Sequence, residues 1–317
     1  MTKILIGVDG SDRSHDAIAF GRALALAAGA PVVLATAHLP EPRQPPLDRH
    51  GPDTGLRAEA EALLARASLA LLDLDDVKRL PLAGQSAAKA LQSAAEHAGA
   101  GIVVVGSSHV GRLGRVLPGS TAERLLHHAP CPVAVVPLGF QAHGLPRNPA
   151  IGCAYQADDD GDTALAAAEE LALALSGSLR VVQVVEPPSY LYDTGELPLN
   201  MPEIDARIRA DAERRLAERV ERLSFRLHDV EGTLHVGKPA DVLAAISETV
   251  DTMVIGSRGY GPLKAVMVGG VSGQVIRSAA CPVIVVPRGA RCTIGSLFGP
   301  PTAAAAAGWK AVGRTTR

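Results

Sequence analysis

The sequence predicts an α/β protein built from two copies of one doubly wound, parallel-sheet domain. The clearest sign is an internal repeat. Val103–Pro137, VVVGSSHVGRLGRVLPGSTAERLLHHAPCPVAVVP, returns as Val254–Pro287, VIGSRGYGPLKAVMVGGVSGQVIRSAACPVIVVP. The pairs Gly106/Gly256, Gly119/Gly269, Cys131/Cys281 and Pro137/Pro287 are each 150 positions apart. The runs Ile102–Val105 and Val133–Val136 are short, β-branched and uncharged, as strands covered on both faces of a parallel sheet should be. Strand and helix patterns also alternate along each half, which calls for parallel βαβ units.

The elements follow in order. Lys3–Val8 reads as the first strand, ending at Asp9-Gly10-Ser11. A helix follows with Ser14 as its expected N-cap and Ala17, Gly21, Leu24 and Ala28 along one side. Gly29-Ala30-Pro31 stops it, and Val32–Ala37 is the second strand. Leu39–Gly55 carries five prolines and reads as an exposed loop. A helix from Leu56 to near Leu72, a weak strand at Val77–Leu82 and a helix over Ala87–Ala98 lead into the strand before the glycine loop.

The first domain is expected over 1–140, a linker over 141–148 and a second domain over 149–290. There Ala150–Tyr155 restarts the pattern, Asp162–Leu175 is the matching first helix and Ser178–Val185 the second strand. A second proline-rich loop spans Pro187–Pro202. The long helix Glu203–Leu227 is expected to bury Ile204, Ile208, Ala212, Leu216, Val220, Leu223 and Leu227. Thr233–Val236 and a helix from Lys238-Pro239 to Val250 complete the half. Residues 291–317, with a run of five alanines, are expected to be a disordered tail.

Composition removes several function classes. At 317 residues each half is long enough to bury its own core. A net charge of −2 and 3% aromatic residues offer neither the basic field nor the stacking rings of a nucleic-acid surface. The start MTKILIGVDGSD reaches Asp9 before a signal-peptide core can form, and no apolar run is long enough to span a bilayer. No membrane role and a cytoplasmic location are therefore expected. Four cysteines without CxxC spacing fit a reducing compartment, and Cys131 and Cys281 read as packing residues before buried strands.

Most apparent motifs fail on mechanism. Gly232–Pro239 nearly spells a P-loop, but its middle residues read as a strand and Pro239 stands where a magnesium-binding hydroxyl belongs. His127 and His128 point about 100° apart on a helix and do not make a metal pair. Asp158-Asp159-Asp160 lacks calcium-loop alternation and reads as an exposed turn. No hydrolytic nucleophile or metal ligand set stands out, so the chain is not expected to be an enzyme.

What remains is an anion site. Glycines after a strand let backbone N–H groups approach a ligand, and the helix opening at Gly119-Ser120 adds unpaired donors and a positive dipole end. Tight turns in an α/β fold would call for the same glycines. In a doubly wound sheet the ligand lies beyond the C-terminal strand ends, where Asp9 and Gly106 would meet if their strands are neighbours. The carboxylate can accept from ribose hydroxyls or an adenine amine, and the loop with Ser120 can take phosphates.

On these residues both halves resemble the universal stress protein family, whose nucleotide-binding members carry Gly-x2-Gly-x9-Gly-(Ser/Thr) between strand four and helix four. Gly106, Gly119, Ser120 and the strand-one Asp9 match in the first half, with Thr121 beside them; His109 replaces the middle glycine. Gly256, Gly259 and Gly269 match in the second half, while Gly270 replaces the Ser/Thr and Ser272 offers a nearby hydroxyl. Shifting Ile6 onto Ile151 puts Ala154 where Asp9 stands.

The resemblance implies, for each half, a five-stranded parallel sheet in order 3-2-1-4-5, the adenine-nucleotide α-hydrolase-like fold. It implies a pseudo-dimer of the halves through their fifth strands, with a homodimer and a protein partner as further possibilities. The implied ligand is ATP or a related adenine nucleotide, with Mg2+ accompanying a triphosphate, and the implied role is stress-response regulation rather than turnover. A non-nucleotide interaction scaffold of the same fold is the alternative.

Overall fold

β-Branched runs with no charge to solvate become the inner strands, and the alanine-rich helices close over them. The computed structural model describes residues 2–39, 53–107, 119–186, 201–257, 271–288 and 294–298. The chain divides into two compact units, Met1–Leu145 with Gly289–Arg317 and Pro146–Arg288.

In the first unit β1 (Lys3–Gly7), α1 (Asp12–Ala28), β2 (Val32–His38), α2 (Asp53–Ser68), β3 (Val77–Ala83), α3 (Ala87–Ala98), β4 (Ala100–Gly106), α4 (Ser120–His128) and β5 (Val133–Val136) follow one another. The strands lie in the order β3-β2-β1-β4-β5, and every pairing is parallel. Ile4, Leu5, Ile6, Ile102, Val103 and Val104 have no exposed surface, so β1 and β4 form the centre of the core.

The second unit repeats this with β6 (Ala150–Tyr155), α5 (Asp159–Leu175), β7 (Ser178–Val185), α6 (Met201–Ser224), β8 (Val230–Val236), α7 (Pro239–Ile246), β9 (Thr252–Gly256), α8 (Val271–Ser278) and β10 (Val283–Val286). Its order is β8-β7-β6-β9-β10, again all parallel. Each unit is thus a doubly wound five-stranded parallel sheet in the order 3-2-1-4-5. Among the described residues no helix is long and apolar enough to cross a membrane.

Four local expectations are corrected. Ser14 is not the cap of α1: the helix begins at Asp12 behind Ser11, and Ser14 lies buried in its first turn. The Asp158–Asp160 run is not a free turn but the start of α5. Asp158 caps it by accepting from the Gly161 N–H at 2.8 Å, and acids suit the positive helix end. On α6, Ala212, Leu216, Leu223 and Leu227 are buried as expected, but Ile204 and Ile208 remain 45% and 46% exposed. The helix seats Leu216 and Val220 over Gly232 of β8, so its later turns, not its first two, meet the sheet.

The last correction concerns the expected tail. Gly295–Phe298 forms one helical turn, α9, with Ile294 and Leu297 buried in the first unit. Leu297 rests against Gly101 at the start of β4, beside Thr2. Two apolar side chains three apart are enough to hold the turn there. Of the expected proline-rich loops, residues 40–52 and 187–200 lie outside the described residues, as does the alanine run; their last residues are not loop, since Asp53–Gly55 opens α2 and residues 201–202 open α6.

α1 also holds the segment leaving β5. The Asp16 carboxylate, 2% exposed, accepts from the backbone N–H groups of Gly139 at 2.9 Å and Gln141 at 2.8 Å. Phe20 meets Phe140 edge to face with ring centroids 5.6 Å apart. Cys131, Cys153 and Cys281 are buried and form no disulfide. Burial pushes the Cys153 thiol up to about 12; burial, with the Asp251 charge behind it, does the same for Cys281. Such thiols pack rather than react.

Candidate functional site

In each unit the strand order reverses between the first and fourth strands, and a cleft opens beyond their C-terminal ends, where this topology places ligands. The first cleft has a volume of about 700 Å³ and the second about 400 Å³. Both fall within the size range of small-molecule sites.

Asp9 follows β1 at the mouth of the first cleft. Its Oδ1 accepts from the Ser11 N–H at 3.0 Å, the Ser11 hydroxyl at 2.5 Å and the Ser14 hydroxyl at 2.8 Å. The Asp9 N–H donates to Ser14 Oγ at 2.8 Å, so the carboxylate is held from both ends. Partial burial works to raise its pKa. The Ser11 hydroxyl and N–H, the Ser14 hydroxyl and the Arg13 charge outweigh that and hold the carboxyl below its ordinary range. Asp9 is therefore a fixed, exposed, ionised acceptor and a poor base.

Gly106 ends β4 on the same cleft. A Cβ there would stand 2.5 Å from the Arg13 carbonyl oxygen. The glycine is needed first for the close approach of α1 to β4, a role the sequence reading gave to phosphate contact. Gly256 repeats the arrangement, 3.0 Å from the Asp160 carbonyl. Gly119 caps α4 in an extended conformation, and its carbonyl accepts from the Glu123 N–H at 2.9 Å. Ser120 and Thr121 open the helix and line the cleft with it. The first-turn N–H groups and the positive dipole end of α4 thus border the same cavity as Asp9.

Asp9, Gly106, Gly119, Ser120 and Thr121 are therefore brought together, and Gly256 and Ser272 line the second cleft. His109, Gly259, Gly269 and Gly270 lie outside the described residues. The counterpart of Asp9 is corrected. Ile6 pairs with Val104, and Cys153 with Val254, so the first strands correspond with a shift of 147, not 145. The starts of α1 and α5 and the contacts of Gly106 and Gly256 give the same shift. Gln156, not Ala154, stands where Asp9 stands. Ser11 becomes Asp158 and Ser14 becomes Gly161, so neither hydroxyl that holds Asp9 has a counterpart.

The sequence reading missed Arg13 and Ser107, which line the first cleft beside Asp9 and Gly106. Matching the two helix starts, rather than the apolar strands, would have drawn attention to Arg13 opposite Asp160. Among the described residues no three His, Cys, Asp or Glu side chains are grouped to hold a metal.

The universal stress protein family model matches residues 1–137 and 148–287. A universal stress protein of Mycobacterium tuberculosis is 29% identical over 231 residues, 72% of this chain and 77% of that protein. One from Thermus aquaticus is 34% identical over 139 residues, 42% of this chain and 94% of its own length. Among solved structures, a universal stress protein from Archaeoglobus fulgidus aligns with a TM-score of 0.59 at 19% identity, covering 90% of this chain and 96% of that one. A Pseudomonas aeruginosa protein of unknown function gives 0.61 at 16% identity, covering 94% and 96%. With one strand order repeated in both units and two family matches end to end, this chain belongs to the universal stress protein family as a tandem member.

Proposed function

We propose that the chain binds an adenine nucleotide, ATP foremost, in the cleft of its first half and acts through occupancy rather than turnover. One observation carries this reading: a hydrogen-bonded, ionised Asp9 and the N-terminus of α4, with Ser120 and Thr121, line one cavity of about 700 Å³. An acceptor on one side suits ribose hydroxyls or an adenine amine. Backbone donors and hydroxyls on the other suit phosphates. The second observation in support is Ser107 Oγ, buried at the strand end with no hydrogen-bond partner among the described residues. Buried hydroxyls are rarely left so, and a ligand acceptor would complete it.

Turnover is not part of the reading. A carboxyl held below its ordinary range by three donors does not take a proton from water at neutral pH. Magnesium would arrive with a triphosphate rather than be held by the protein alone. Pairing of two chains into a homodimer belongs to the same reading; size measurement in solution with and without nucleotide tests it.

The scaffold reading draws on the second half, where a neutral Gln156 replaces the acid and Asp158, Asp160 and Glu186 line the cleft. The deciding experiment is to denature the purified chain and identify and quantify any nucleotide released, then to titrate the emptied protein with ATP and Mg2+. An adenine nucleotide lost in Gly119→Val supports binding. No release and no heat at millimolar ATP would leave the scaffold standing.

A further inference from the structure

The two clefts differ in a way the glycine loops do not explain. The shifts established above pair Arg13 with Asp160 and Ser107 with Ser257. In the second half one residue satisfies both positions. Arg288, just after β10, donates its backbone N–H to Ser257 Oγ at 3.1 Å and places its Nε 3.3 Å from Asp160 Oδ1. In the first half Leu138 stands where Arg288 does. Ser107 Oγ, in a residue 5% exposed, has no partner, and the Arg13 side chain makes no hydrogen bond or ion pair among the described residues. Both nonetheless line the first cleft.

We propose that Arg13 and Ser107 are ligand contacts that select for a phosphate-bearing molecule, and that the second cleft takes no polyphosphate. This rests on the nucleotide reading and deepens it: one nucleotide per chain, held in the first half. A guanidinium on the cleft that the α4 N-terminus also lines adds full charge to the backbone donors there and suits a phosphate chain. Its replacement by Asp160 puts a carboxylate at the matching point. Asp158 and Glu186 add two more, and no Lys or Arg is among the described residues lining that cleft. Arg288 gives Asp160, which lines that cleft, an internal partner, and its backbone N–H satisfies Ser257 behind it, so neither group awaits a ligand. The duplicated unit carries a cationic cleft in one copy and a smaller, acidic, internally paired one in the other.

The test is calorimetric titration of the full-length chain, freed of bound nucleotide, with ATP and separately with adenosine, in magnesium buffer. The wild type should bind one ATP per chain. Arg13→Ala should weaken ATP about tenfold or more while leaving adenosine unchanged, and Arg13→Lys should recover part of the loss. Ser107→Ala should weaken binding yet raise the stability of the empty protein, since it removes a buried hydroxyl without a partner. A hydroxyl with only a structural role would lower both. Two ATP per chain, or equal loss of ATP and adenosine in a folded Arg13→Ala, would overturn the inference. ATP binding that Arg13→Ala leaves untouched would overturn it while the nucleotide reading survives. A wild type that binds no ATP removes both.

Discussion

Asp9 illustrates how a single side chain is prepared before any ligand arrives. Its carboxylate is pinned by the Ser11 N–H and the two hydroxyls, and its folded pKa lies below the ordinary value. A depressed carboxyl stabilises the fold fully above its unfolded pKa and loses that contribution as pH falls through the folded one. Asp9→Asn should thus lower the urea midpoint at pH 7, and the gap to wild type should close as pH drops below about 4. A gap that stays constant to pH 2.5 would show that ionisation of Asp9 is not what holds the turn. The two glycines at the strand ends give a paired prediction. Gly106→Ala meets a backbone oxygen at 2.5 Å and should cost about 1–3 kcal/mol, whereas Gly256→Ala, at 3.0 Å, should cost less. Denaturant titration of the two variants ranks them directly. At this scale legibility was uneven. Asp9 stood out because a charge ends an apolar run. Gln156 did not, because a slip of two residues preserves every side chain's face in a strand. In the strings KILIGV and AIGCAY, a shift of 145 even lays Ile6-Gly7 on Ile151-Gly152, a match that favours the wrong register.

Among the elements, α1 is the one on which the first unit is assembled. It reaches β4 at Gly106, supplies Ser14 to Asp9, and grips the segment after β5 through Asp16 and Phe20. Removing the Asp16 carboxylate leaves two backbone N–H groups without their acceptor. Asp16→Ala should cost about 2–4 kcal/mol by denaturant titration, and Asp16→Asn, with one acceptor oxygen, should fall between. The buried thiols make a chemical prediction. With Cys153 and Cys281 pushed up to about 12, neither should alkylate at pH 7 in the folded state, and both should do so in urea. Mass spectrometry after iodoacetamide treatment reads this. The strands were legible because a parallel sheet covered on both faces admits little but branched aliphatic residues. The ends of α5 and α6 were not. The helix start depended on Asp158 capping Gly161, and the exposure of Ile204 and Ile208 on where β8 meets the helix; neither is written in local periodicity.

In the whole molecule, the duplication was legible because 150 residues separate so many matching landmarks. What the repeat hid is that the copies are not equivalent: the second cleft is smaller, more acidic and internally paired. Nor are the units continuous in sequence, since Ile294 and Leu297 are buried in the first although they follow the second. Leu297→Ala should cost about 2–3 kcal/mol, and the loss should fall on the first unit. Hydrogen exchange resolved by segment would show faster exchange in β4 than in β9; uniform acceleration of both would contradict the assignment. That contact has a consequence for how the protein is made. On the ribosome the first half emerges early, but the residues that cover Gly101 and Thr2 are polymerised only after the second half has been made, roughly 10–30 s later. The half that carries the larger cleft is therefore synthesised before the other and finished after it.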